Sequence, residues 1–253
     1  MQSVFNPFLK QFNVSPLAAV VDIETHAVNN PNAVICSIGC VVINMFTGEH
    51  IGSFYDRCNI LDQLDYRKAD QETLNWWKEQ KAQFPKAYAE ANDHNLPRQV
   101  LPLVLNDLNN FLKRSFNFTT PAIVGNGPEF DNTIIEHAMR QFGIKPVWHF
   151  GNNQSLRTIV WLGRALLGVD PKNQPFEGEK HHALDDARHE ARCLHVVVKA
   201  FADRLAPDLI MDMPFDQLKQ LYLDAGLPFP EKDEFARVDL VHQYLGNLKA
   251  VPV

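Results

Sequence analysis

The chain has 253 residues, 45% of them hydrophobic and 21% charged, with a formal net charge of -6. That length suits one large domain or a domain with an appendage, and the composition excludes disordered and fibrous classes. No apolar run reaches bilayer-crossing length, and the first 14 residues lack the basic start and apolar core of a secretory signal. The cysteines (Cys36, Cys40, Cys58 and Cys193) form no CxxC or zinc-type spacing. A protein of the reducing cytosol, away from membranes, is the expectation. An acidic chain does not advertise a basic nucleic-acid face, although a pocket filled with cations carries its positive charge in the ions.

In chain order, residues 17–24 form a continuous apolar run, as a strand buried on both faces does. Residues 33–43 give a second strand, and 49–55 a third after the turn signal at Asn44 to Gly48, so the last two form a hairpin. Helical spacing follows over 71–80, 88–91 and 100–112, then a short strand at 121–125 and the loop Asn126 to Pro128. A helix is expected over 129–142, a strand over 145–150 and a helix over 156–167. A Pro- and Gly-containing loop spans 169–180, and a long helix runs from 183 to 204. Pro207 and Pro214 mark a boundary, beyond which 215–224 and 235–247 read as short helices. Strands interleaved with helices argue for an α/β domain on a mixed sheet, over residues 1–204, with a small helical appendage at 205–253.

The acids are placed unusually. Asp22 and Glu24 end the first strand two residues apart, so their side chains share a face. Carboxylates converging at a buried strand end repel one another unless a cation lies between them, and hard divalent ions such as Mg2+ or Mn2+ take oxygen ligands. The alternative is a strand running into a solvated acidic loop. Asp131 lies on the apolar stripe of its helix with Ile135, Ala138 and Phe142, at the first turn. There it serves either the helix N-terminus or a ligand site at the strand ends. In the run His181 to Arg188, His181/Asp185 and His182/Asp186 are both i+4 pairs, while His181/Asp186 needs the histidine just before the helix. Spacing alone leaves that choice open.

Asp22-Ile-Glu24, Asp131 within Glu-Phe-Asp-Asn, and His181 with Asp186 together resemble the DEDDh (DnaQ-like) 3′→5′ exonuclease family, over roughly residues 17–203. The stretches Asn30 to Ala33, Leu74 to Trp77, Gly125 to Gly127 and Arg157 to Val160 resemble a phage-associated branch similar to exonuclease VIII and RNase T. The resemblance implies a ribonuclease-H-like fold, a five-stranded mixed sheet flanked by helices. It also selects His181 with Asp186, leaving His182 and Asp185 as neighbours.

By the same resemblance, Asp22, Glu24, Asp131 and Asp186 hold two divalent cations, Mg2+ or Mn2+, and His181 is the general base. Such ions activate water and receive the leaving oxygen, and an imidazole suits proton abstraction near neutral pH. Ile23 and Thr25 lie where family members contact the terminal nucleotide. Trp76 and Trp77 are about 100° apart on a helix, so one is core, expected to be Trp77, and Trp76 is left for stacking on a base. Phe130 suits packing beside a base or in the core, and Arg157 suits a phosphate or the acidic pocket. The implied reaction is hydrolysis of single-stranded DNA from its 3′ end to 5′-mononucleotides. RNA as the substrate, or a noncatalytic nucleic-acid-binding module on this fold, are the alternatives. Residues 205–253 bear a faint similarity to SAP-like helical modules, and a homo-oligomer is left open.

Overall fold

The computed structural model describes residues 2–117, 119–229 and 237–250. Its centre is a mixed sheet in the order β3-β2-β1-β4-β5, built from β1 (Leu17–Thr25), β2 (Ile35–Asn44), β3 (His50–Arg57), β4 (Ile123–Gly125) and β5 (Asn153–Ser155). β1 pairs antiparallel with β2 and parallel with β4, and β5 is parallel to β4. This is the expected ribonuclease-H-like arrangement. The apolar run of β1 has its cause here, since the central strand is covered on both faces.

Alternation along β1 sorts its side chains between two layers. Ala19, Val21 and Ile23 face α4 (Leu101–Ser115) and α5 (Asp131–Gln141), packing with Leu105, Leu108 and Ile135. Ala18 and Val20 face α6 (Leu156–Leu162) and α7 (Ala183–Asp212), packing with Val160, Ala187 and Leu194. Asp22 and Glu24 continue the second row, beneath the start of α7. Beside the sheet, α2 (Gln71–Gln80) and α3 (Pro85–Asn92) carry Trp77 and Ala87 into a smaller cluster with Ile60. Asp70 caps α2 by accepting from the Thr73 amide at 2.6 Å.

Two sequence expectations change, and one helix is added. Residues 145–150 are not a strand. Pro146 cannot donate to a ladder, and Trp148 is instead buried in the core with its indole donating to Glu136. The polar segment Asn153–Ser155 takes the edge position through backbone pairing. The long helix does not stop at 204 but passes through Pro207 to Asp212, so the expected division falls within a continuous helix. Ala206 and Ile210 are buried there against Leu218, Tyr222 and Tyr244, which offsets the hydrogen bond that Pro207 removes. Finally, α1 (Gln2–Gln11) was not legible as a helix, and its Val4 joins that same cluster.

The C-terminal cluster is completed by α8 (Phe215–Asp224) and α9 (Arg237–Ala250). Tyr222 donates to the Leu240 carbonyl, tying these two helices together. The expected start of the last helix, residues 235 and 236, lies outside the described residues.

Gly39 sits directly opposite Asp22 in the β1–β2 pair. A Cβ there would lie 2.4 Å from the Ala183 carbonyl carbon and oxygen and 2.5 Å from the Leu184 nitrogen. Those are backbone atoms of the first turn of α7, which cannot rotate away. Gly39→Ala is expected to cost about 1–3 kcal/mol in denaturant unfolding, by forcing α7 off the sheet. Unchanged stability would contradict this close approach.

Candidate active site

The site lies at the carboxyl ends of β1 and β4, where both layers reach the sheet's rim. β4 pairs with β1 only at Val20 and Ala19, so the Ile23 amide has no neighbour on that side. Asp131 supplies one. Its Oδ1 accepts from the Ile23 amide at 3.3 Å, between Asp22 and Glu24 in sequence. Gly125 makes room for this, since a Cβ there would meet Asn132 Oδ1 at 2.4 Å and Asp131 Oδ2 at 3.0 Å. Asp131 is the first residue of α5 and is buried, and its carboxylate also accepts from its own amide and that of Asn126 at the helix start. The carboxylate thus meets both the helix start and the end of β1.

From the other layer, His181 precedes α7 with a left-handed backbone, φ 64°. One ligand atom from each of Glu24, His181 and Asp186 lies within 4.8 Å of the others. The structure therefore brings His181, not His182, to the acids. His182 stacks on Tyr55 with ring centroids 4.7 Å apart, and Asp185 pairs with Arg188 at 3.0 Å. Asp22 and Asp131 stand beside the three-residue group and act on it through their charge.

Electrostatics tie the acids together. Burial, then repulsion from Asp131, Glu24, Glu190 and Asp186, holds the Asp22 carboxyl well above its ordinary range. Burial, then Asp186 and Asp131, does the same to Glu24. Asp131 is pushed up to about 7 and Asp186 to about 6, both chiefly by burial. No lysine or arginine forms an ion pair with any of these acids among the described residues. Such a donor set fits hard divalent cations. Burial, then the Lys180 charge, lowers the His181 pKa, which favours the neutral imidazole.

A cavity of about 690 Å3 opens beside Glu24, lined by Ile23, Thr25, Asn30, Trp76, Trp77 and Phe130. Trp77 is buried, its indole donating to the Thr25 carbonyl at 3.0 Å, as expected of the core member of the pair. Trp76 is 37% exposed and meets the His181 ring edge-on at 5.0 Å. Arg157 is not on the cavity wall. It pairs with Glu129 at 2.6 Å, while its charge favours ionised Asp131.

Two neighbours escaped the sequence reading. Phe84 meets the His181 ring edge-on at 5.0 Å, and nothing in its local pattern signals that. Glu190 is buried beside the acids, one turn after Asp186. Its signal was in the sequence, as a carboxylate inside the stripe Ala187, Ala191, Leu194.

A mixed sheet with a buried acidic cluster and a histidine at its central strand end suits phosphodiester hydrolysis assisted by divalent cations. Residues 18–198 match the Rv2179c-like 3′-5′ exoribonuclease domain, and the chain belongs to that family. It is thus a 3′→5′ exonuclease by family. Among solved structures it resembles cell-death related nuclease 4 (CRN-4), with 14% identity and a TM-score of 0.52. The match covers 72% of this chain and 64% of that one, so the chain spans less than two thirds of that protein's length. The nuclease domain of 3′hExo, a DEDDh family member bound to rAMP, matches at 15% identity and TM-score 0.47, over 73% of this chain and 92% of that one. No curated protein matches in sequence.

The raised acids set a pH dependence. Each binds its proton more tightly folded than unfolded, so the native state carries more protons between the ordinary carboxyl range and about pH 8. The unfolding free energy of metal-free protein therefore contains a contribution that falls as pH rises through that window. The decline is expected to be shallower in Asp131→Asn, measured by urea unfolding in chelator. Parallel slopes for the two proteins would rule out this repulsion.

Proposed function

We propose that the protein is a metal-dependent exoribonuclease that shortens single-stranded RNA from its 3′ end and releases 5′-mononucleotides. The observation that carries this reading is the convergence of Glu24, His181 and Asp186, with Asp22 and Asp131 alongside, next to an open cavity. RNA is preferred over the DNA placed first in the sequence analysis, because the family is described by exoribonuclease activity. A noncatalytic binding module is disfavoured, since binding alone does not require a cluster of repelling buried acids.

In this reading Asp22, Glu24, Asp131 and Asp186 hold two divalent cations, Mg2+ or Mn2+. The ions supply acidification of the attacking water and neutralisation of the leaving 3′ oxygen. The chain's residues do the rest. His181 accepts the water's proton at a ring nitrogen, and its lowered pKa keeps it neutral near physiological pH. Trp76 and Phe130 flank the terminal base in the cavity, and Ile23 and Thr25 position the nucleotide on the strand end. Arg157 serves the acids by its field. Residues 1–204 carry the chemistry, and beyond them α8 and α9 act as a helical appendage packed on α1 and the end of α7. The cysteines are free and buried, which suits a reducing cytosol.

End-labelled single-stranded RNA is expected to shorten stepwise with Mg2+ or Mn2+ and to stay intact in chelator or with Asp22→Asn, with DNA degraded more slowly. Shortening that persists in Asp22→Asn would overturn the site. His181→Ala is expected to lower kcat about 100- to 10,000-fold. Trp76→Ala is expected to raise KM about 5- to 150-fold, the worth of roughly 1–3 kcal/mol of base stacking.

A further inference from the structure

Glu190 has no role in the chemistry outlined so far, and its placement needs a reason. It lies one turn beyond Asp186 on the face of α7 that packs on the sheet, between Ala187 and Ala191, which are buried against Val20 and Val41. Only 5% of the residue is exposed. Its Oε2 is buried without a hydrogen-bond partner. A carboxylate in that setting normally finds an arginine or an amide, because leaving it unpaired is costly. The cations nearest in effect, Lys172 and Arg157, act on it only at a distance, while Asp131 and Asp186 repel it. It also adds to the repulsion felt by Asp22. A hydrophobic side chain would fill this stripe more cheaply, and a helix cap is not needed mid-helix. What the position lacks is a cation.

We propose that Glu190 is a fifth carboxylate of the cation site, lending its unpartnered oxygen, directly or through a water, to a divalent ion held by Asp22, Glu24, Asp131 and Asp186. The inference rests on reading those four acids as a cation site and extends it by one ligand. The consequence is a site that completes more of an ion's oxygen shell from protein alone. Mg2+ sites with few carboxylates wait for substrate phosphate to fill the shell. With Glu190 included, the protein holds its ions before nucleic acid arrives.

The test is Mn2+ binding to the nucleic-acid-free protein, followed by the loss of the free-ion electron paramagnetic resonance signal. Wild type is compared with Glu190→Gln, Glu190→Asp and Asp22→Asn. Glu190→Gln is expected to weaken Mn2+ binding at least about tenfold, the scale of losing a group that supports a metal site. Glu190→Asp keeps the charge but withdraws the oxygen by one methylene, and it too is expected to lose affinity. Full affinity in Glu190→Asp would overturn the ligand role in favour of a field effect. Wild-type binding in Glu190→Gln, with loss in Asp22→Asn, would overturn the Glu190 assignment while leaving the cation site standing. Unchanged binding in all variants would remove both. Should Glu190→Gln fold poorly, Glu190→Leu suits the apolar stripe and is expected to melt higher than wild type in chelator while binding Mn2+ more weakly. A Glu190→Leu protein that melts lower and binds Mn2+ as wild type does would overturn the proposal.

Discussion

Carboxyl groups forced together at the end of one central strand are the constraint around which this molecule is arranged. Asp22, Glu24, Asp131, Asp186 and Glu190 are each held above their ordinary pKa by burial, several of them also by one another. Folding the metal-free chain means taking these groups out of water with no lysine or arginine paired to them among the described residues, a cost of a kind proteins tolerate at functional sites. The hydrophobic layers on both faces of the sheet supply the opposing free energy.

The layers also deliver the acids from different directions. β1 presents Asp22 and Glu24 to the α7 side, α7 brings Asp186 and Glu190 down onto them, and α5 carries Asp131 around the end of the short β4 to the Ile23 amide. Two glycines permit these approaches. Gly39 admits the first turn of α7, and Gly125 admits Asp131 and Asn132. Site geometry is therefore a property of the sheet's packing on its helices, not of a flexible loop. The histidine is the exception, placed by a left-handed residue before α7 and enclosed by the edges of Trp76 and Phe84.

α7 links this chemistry to the far end of the molecule. Its first turns frame the acids, and its last turns are buried with α1, α8 and α9. Over about 45 Å, at 1.5 Å per residue, one continuous helix spans the acidic end and the C-terminal helices.

The sequence by itself determined the central strand, its paired acids, the hairpin and the two candidate histidines, because each is written in local periodicity. Alternation put Asp22 and Glu24 on one face, and helical spacing put Asp131 on a buried stripe. Family resemblance, not spacing, chose His181 with Asp186. Tertiary structure alone decided what depends on distant partners. β5 is a polar edge strand that exists only because β4 offers it hydrogen bonds, whereas the apolar 145–150 segment was free to turn and bury Trp148. Pro207 is tolerated because Ala206 and Ile210 are buried on either side of it. Phe84 joins the site through contacts across the fold, and no local pattern carries the positions of residues that meet only after the chain has closed on itself.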